Sequence, residues 1–152
     1  MMRSSFTRKI QIRWADIDVN QHLRHSAYYD YGAAVRMMFL SEMGLTTNKL
    51  IEFQIGPVLF REEAIFKREI SFEDGITLDL TLTKASIDYG RWSFRHNFIK
   101  DDGSLAAIVT VDGAWIDTVK RKLAIPDQYI KDIFDRALKA EDFQSIPPLI
   151  KS

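Results

Sequence analysis

The sequence predicts an α+β domain in which an antiparallel sheet wraps one long helix. Three observations carry the prediction. An apolar segment with helical spacing runs from about Ser26 to Met43. About four segments with strand patterning follow it. Short turn signals, Glu73-Asp74-Gly75, Asp88-Tyr89-Gly90 and Asp101-Asp102-Gly103, separate those segments where crossover helices would otherwise stand. A sheet curling around one helix is the economical packing for that order.

Each element has its own signature. Phe6 to Trp14 reads as a strand, with Ile10, Ile12 and Trp14 on one face by period-two alternation. A polar segment, Ala15 to His25, interrupts it. The helix then starts at His25 or Ser26 and stops at Gly44, because glycine takes the left-handed conformation cheaply. Tyr28, Tyr31, Val35, Met38, Phe39 and Glu42 follow helical spacing, and Ala27, Gly32, Ala33 and Ala34 between them allow close approach. Val58 to Phe72 reads as a strand whose even positions are mostly apolar. In the next strand Ile76, Leu78, Leu80 and Leu82 alternate with Thr77, Asp79, Thr81 and Thr83, which implies one wet face. Trp92, Phe94 and Phe98 mark another strand, and His96 on their face reads as a hydrogen-bonded core histidine. Leu105 to Ile116 is apolar on both faces, as a central strand would be. Pro126 opens a second helix with the stripe Ile130, Ile133, Phe134, Ala137 and Leu138. The tail from Ser145 to Ser152, with Pro147 and Pro148, reads as irregular.

Composition narrows the function. The chain has 152 residues, which suits one domain, and 46% apolar against 28% charged residues, which is globular rather than disordered. Lys plus Arg equals Asp plus Glu at 21 each, so the basic excess of a dedicated nucleic-acid or membrane-surface binder is missing. Without cysteine there is no disulfide, thiolate zinc site or Cys nucleophile. No apolar run approaches the roughly 20 residues that span a bilayer. Met1 to Ile10 carries Arg3, Arg8 and Lys9 but no apolar stretch of a signal peptide, so a cytoplasmic protein is expected.

The chemistry concentrates in Arg13-Trp14-Ala15-Asp16-Ile17-Asp18-Val19-Asn20-Gln21-His22-Leu23-Arg24-His25, directly before the long helix. A helix N-terminus presents unpaired amide hydrogens and a positive dipole end, which polarise a carbonyl oxygen. A carboxylate nearby attacks that carbonyl or activates water. The residues by themselves also fit two other readings. Asp, Asn and His side chains can cap the helix and shape the loop. His22 and His25, three apart with Asp18 nearby, can be part of a zinc site.

Arg13 to Tyr28 resembles the opening motif of the 4-hydroxybenzoyl-CoA thioesterase-like hot-dog family, Arg-x-x-Asp-x-Asp-x-x-Gly-His-Val-Asn-Asn-x-x-Tyr. Asp18-Val19-Asn20-Gln21-His22 is similar to the Asp-x-Asn-Gln-His tract of plant acyl-carrier-protein thioesterases, and Phe66-Lys67-Arg68-Glu69 to their Tyr-Arg-Arg-Glu. Gly90-Arg91-Trp92-Ser93-Phe94 matches a strand start of the family, and Trp115-Ile116-Asp117, Lys122 and Ile125-Pro126 match its ending. The likeness spans about residues 6 to 130. Gln21 stands where most of the family has glycine, Arg24-His25 where it has two asparagines, and Glu69 where it has proline.

The resemblance implies a hot-dog fold over 1–152, with a C-terminal helix and irregular tail from about 126. It implies hydrolysis of an acyl-CoA or acyl-carrier-protein thioester without a cofactor or metal. Asp18 is then general base or nucleophile, and Asn20 and His22 orient it and the water or touch the thioester. Tyr28 lines the acyl pocket, unless it is plain core. Glu69 supplies a second carboxylate, unless it is an exposed strand residue. Arg91 meets a coenzyme A phosphate, although a lone arginine beside a turn is a thin signal. A homodimer or homotetramer with the site between protomers is expected, with neither nucleic acid nor membrane as partner. Two other activities of the fold compete. A dehydratase or hydratase would carry Asp and His five apart around Asn-Pro, whereas Asp18 and His22 are four apart without proline. An acyl-thioester binding module would be attached to a DNA-binding segment, which this sequence does not show.

Overall fold

In the computed structural model residues 5–150 are described. Residues 1–4 of the Met1–Ile10 segment and 151–152 of the tail lie outside them. The order is β1 (Phe6–Ile10), a 3-10 turn (Trp14–Asp16), α1 (Ala27–Glu42), α2 (Thr47–Phe53), β2 (Ile55–Phe66), β3 (Ile76–Ala85), β4 (Arg91–Lys100), β5 (Leu105–Asp117), β6 (Lys122–Ala124), α3 (Gln128–Asp135) and β7 (Lys139–Ser145). One sheet runs β1-β3-β4-β5-β2, with β6 on β5 and β7 on β3. Every pairing is antiparallel except β3 with β7. None of the described helices is long and apolar enough to cross a membrane.

The alternation in β3 sets the inner face of the sheet. Ile76, Leu78 and Leu82 are fully buried and Leu80 nearly so, while the threonines and Asp79 between them stay half-exposed. Beside them β4 turns Trp92, Phe94, His96 and Phe98 inward, and β5 turns Ala107, Val109, Val111, Gly113 and Trp115 inward. The outer positions of β5, Ile108, Thr110 and Asp112, are half-exposed, so this strand has one wetter face rather than two apolar ones. α1 lies across the inner face. Tyr28 packs against Phe98 at one end, with ring centroids 5.2 Å apart, and Phe39 meets Phe6 at the other, at 5.3 Å. α1 stops as expected: Gly44 takes φ +103, and the Leu45 N–H bonds back to the Leu40 carbonyl at 2.8 Å.

α3 closes the end of the fold far from the start of α1. Phe134, fully enclosed, stacks among Tyr89, Trp92, Phe94 and Trp115 at centroid distances of 5.6 to 6.2 Å. Burying one such ring stabilises by about 1.5–3 kcal/mol. Gly113 is the hollow that admits Trp92, since a Cβ there would collide with the indole.

Several sequence expectations are corrected. The first strand ends at Ile10, and Trp14 is 64% exposed instead of sharing a buried face with Ile10 and Ile12. Met38 and Glu42 are exposed, and Arg36 replaces them on the buried stripe of α1. α2, β6 and β7 were not anticipated; β7 shows that the chain beyond α3 rejoins the sheet before the irregular segment that follows Ser145. Pro126 lies before the α3 cap and does not open the helix, because Asp127 takes that place and accepts the Ile130 N–H at 3.2 Å.

The most consequential difference is at β2. The strand stops at Phe66, not Phe72. The N–H groups of Lys67 and Arg68 both donate to the Ala106 carbonyl, at 2.8 and 2.9 Å, so the ladder cannot continue in register. The chain then turns inward and buries Ile70, whose carbonyl accepts the Leu23 N–H at 2.7 Å. That turn brings Glu69 alongside the polar loop ahead of α1.

Candidate active site

The loop between the 3-10 turn and α1 is built on Asp16. Asp16 is buried and receives the Tyr31 hydroxyl at 2.7 Å and the Arg24 guanidinium at 2.9 Å, with Arg13 at 3.4 Å. The Tyr31 hydroxyl, then Arg24 and Arg13, hold its carboxyl below the ordinary range against the opposing cost of burial. The Tyr31 oxygen also accepts the Arg13 N–H at 3.1 Å. This brace ties both ends of the loop to α1, which carries Tyr31. Sequence reasoning assigned Asp16 no role. Its place is set by contacts with Tyr31 of α1 and with Arg24, which spacing along the sequence does not reveal.

From that brace the chain makes a tight excursion. Ile17 pairs with Leu23, and the Asp18 N–H donates to the His22 carbonyl at 2.9 Å. Asp18 Oδ1 accepts the N–H groups of Asn20, at 2.9 Å, and His22, at 3.2 Å. Gln21 closes the turn at φ +67, a conformation that favours glycine. Asp18 therefore shapes its own turn and does not cap α1. The cap position of α1, Ser26, contributes no side-chain bond either, so among the described residues the first-turn amides of the helix have no side-chain acceptor.

These pieces face one cleft of about 340 Å³ lined by Asp18, His22, Leu23, His25, Tyr28 and Phe66 to Glu69. His22 Nε2 lies 3.1 Å from the Glu69 carboxylate. Oδ2 of Asp18 has no hydrogen-bond partner among the described residues and is the oxygen left to act. Tyr28 is almost fully buried at the back, edge-on to Phe66 at 4.9 Å. Burial, then the charges of Asp18 and Glu69, push its phenol up to about 12, so it is a neutral donor at any working pH. Among the described residues no group of three or more His, Cys, Asp or Glu side chains is arranged to hold a metal ion.

Of the six residues singled out in the sequence, the structure brings four together: Asp18, His22, Tyr28 and Glu69. Glu69 is exposed, but in the irregular segment after β2 and not on a strand, and its partner is His22. Asn20 is exposed outside the cleft lining, and its ordered link to Asp18 is through its backbone. Arg91 stands at the start of β4, seven residues and about 24 Å of strand from Phe98, so it does not reach the cleft of its own protomer. Lys67 and Arg68, named in the sequence only within a motif, also line the cleft, and so does His25, weighed there only as a zinc ligand beside His22. For the two cations the inward turn after Phe66 is what decides, and charge alone pointed to a solvated strand face.

The fold has known counterparts. The chain matches, over 92% of its length, a Staphylococcus aureus protein solved in complex with CoA, at 21% identity and a TM-score of 0.81, covering 90% of that chain. It matches a 1,4-dihydroxy-2-naphthoyl-CoA thioesterase from Synechocystis at 19% identity and a TM-score of 0.78, over 87% of this chain and 96% of the other. It matches a DHNA-CoA thioesterase from Staphylococcus aureus at 17% identity and a TM-score of 0.77, over 87% of each. These likenesses establish the hot-dog fold. No curated protein sequence matches the chain. The family model of the thioesterase-like superfamily matches residues 12–143, from just after β1 into β7, and by that match the chain belongs to the thioesterase-like superfamily.

Proposed function

We propose that the chain is one thioesterase domain that hydrolyses an acyl thioester of coenzyme A, with Asp18 as general base. The observation that carries this reading is the state of the Asp18 carboxylate: one oxygen is fixed by two backbone N–H groups, the other has no hydrogen-bond partner among the described residues, and Asp18 lines the cleft with Tyr28 and His22. Oδ2 takes a proton from water as that water attacks the thioester carbon. The first-turn amides of α1 and the Tyr28 hydroxyl are the donors suited to the oxyanion. Collapse of the tetrahedral adduct breaks the carbon–sulfur bond, and the proton held by Asp18 passes to the departing thiolate. Glu69 orients His22, and Lys67 and Arg68 at the cleft supply charge for the phosphates of the carrier. Coenzyme A is favoured over acyl-carrier protein by the CoA-bound protein and the CoA thioesterases named above.

Asp18→Asn tests the assignment. The amide oxygen can still accept from Asn20 and His22, so the turn survives. It cannot accept the water proton, so turnover of the best acyl-CoA falls by about 10² to 10⁴. A variant within about threefold of wild type, with an unchanged melting temperature, refutes it.

The same reading makes the site oligomeric. β2 is a 12-residue edge strand bearing exposed Leu59, Phe60, Ile65 and Phe66. Such an edge attracts another strand unless it is covered. Phe66 belongs to both this edge and the cleft, so a second copy pairing there brings its own residues to the site. Light scattering gives a homodimer or homotetramer; a stable monomer that remains active contradicts it.

A further inference from the structure

A second cavity, of about 230 Å³, lies between α1, the sheet and α3. Its walls include Trp92, Phe94, Trp115 and Phe134, and its rim reaches the more exposed Pro57 and Leu59 of β2. The lining has one charged residue, Arg36, which is only 9% exposed. A guanidinium has five N–H donors and no acceptor. Arg36 spends one on Nε2 of His96, at 3.1 Å. Its nearest carboxylate oxygen, in Glu62, is 4.0 Å away, beyond hydrogen-bond reach.

His96 brings no negative charge. Its Nδ1 is 2.8 Å from the Asp79 carbonyl, which can only accept, so Nδ1 carries the hydrogen and Nε2 offers its lone pair to Arg36. Trp92, on the same wall, has a buried indole N–H with no partner among the described residues. The lining of the cavity thus includes a buried cation and a residue with an unused buried donor, among aromatic walls.

Glu62 balances the Arg36 charge only from 4.0 Å and takes none of its hydrogens, and buried donors left without an acceptor are costly. The complement of the cavity is an acceptor-only anionic head on a flat apolar body. An engineered apolar cavity of about 150 Å³ holds benzene, so about 230 Å³ admits a ring with a carboxylate attached. We propose that this cavity binds a single-ring aromatic carboxylate, with the carboxylate on Arg36 and the ring among Trp92, Phe94, Trp115 and Phe134. An inorganic anion leaves the aromatic walls unmet, and a neutral arene leaves Arg36 unmet. The site does not depend on the thioesterase reading.

Titration of the full chain with benzoate tests it, read by calorimetry and by tryptophan fluorescence, since two of the three tryptophans line the cavity. Benzoate binds saturably, and benzamide, its neutral isostere, at least about tenfold more weakly. Arg36→Met, which keeps an apolar filling, loses benzoate by at least about tenfold. Glu62→Gln, which removes the competing carboxylate, tightens it. Asp18→Asn leaves it unchanged, which separates this cavity from the cleft. Absence of saturable benzoate binding, as when a side chain from a second copy fills the cavity, overturns the proposal. So does equal binding of benzoate and benzamide. Undiminished binding to a folded Arg36→Met chain does the same. If that variant does not fold, weakened benzoate binding to Glu62→Gln is the overturning result.

Discussion

Acid stability offers a direct test of the His96 arrangement. The imidazole is fully buried between α1 and the sheet, where Gly32 leaves just enough room: a Cβ there would lie 3.1 Å from its ring. Protonation would place a second cation beside Arg36 and remove the lone pair that Arg36 uses. Burial first, and the Arg36 charge after it, hold the His96 pKa at about 4 against 6.5, while the bond to the Asp79 carbonyl pulls the other way. The sign follows from which state binds the proton. Between pH 6.5 and 4 the unfolded chain is protonated at this residue and the folded chain is not, so stability falls as pH falls. The contribution is complete above 6.5 and exhausted below about 4. At about 1.4 kcal/mol per pH unit it amounts to about 3 kcal/mol in all, and about 2 kcal/mol of it is gone by pH 5. The perturbation is His96→Gln, which removes the titration. Urea unfolding of wild type and variant at pH 7 and pH 5 should show their stability difference narrowing by about 2 kcal/mol at the lower pH. A difference that does not change with pH, or an imidazole midpoint at or above 6.5 by NMR, refutes the reasoning.

Two further predictions concern the Asp18 loop. Tyr31→Phe deprives the buried Asp16 carboxylate of its hydroxyl donor and should cost about 1.5–3 kcal/mol at neutral pH. Because that hydroxyl is the main reason the Asp16 carboxyl is held low, stability that wild type retains above pH 3.8 and loses as pH falls through the folded pKa is smaller in the variant; identical acid profiles by urea unfolding contradict this. Gln21→Gly relieves the left-handed backbone and should raise stability by up to about 1 kcal/mol, or roughly 2–4 °C in melting temperature, whereas Gln21→Ala gives no gain; a drop with glycine would show that the glutamine side chain holds the turn.

How much of this was legible depended on whether a residue's environment is set by its neighbours in sequence. The alternation of Ile76 to Leu82 determines an inner face whatever the strand pairs with, so β3 and the inward row of β4 were readable, including His96 as a core residue. α2, β6 and β7 are short and amphipathic at best, and their positions come from packing: β7 is a parallel strand added to β3 at Leu82 and Ala85, where β1 does not pair. The end of β2 was misplaced because apolar spacing continues through Ile70, while the break is made by the Ala106 carbonyl across the ladder. Asp18, His22 and Glu69 were found because a family motif named them. Their meeting depends on that break.

Arg36 shows why the second cavity was not visible in the sequence. At about 100° per residue, Met38 and Arg36 lie about 80° to either side of Tyr28 on the α1 surface. Hydropathy places Met38 inside and Arg36 outside. The structure does the opposite, because the curled sheet covers the Arg36 side, where His96 of β4 supplies a lone pair opposite Gly32. A lysine or leucine at 36 would satisfy the helix equally well but would not use that lone pair from a fixed planar group. Tyr28, Gly32 and Arg36 form one row, spanning about 12 Å at 1.5 Å per residue. The row begins at a cleft whose carboxylates are Asp18 and Glu69 and ends at a cavity whose charge is positive.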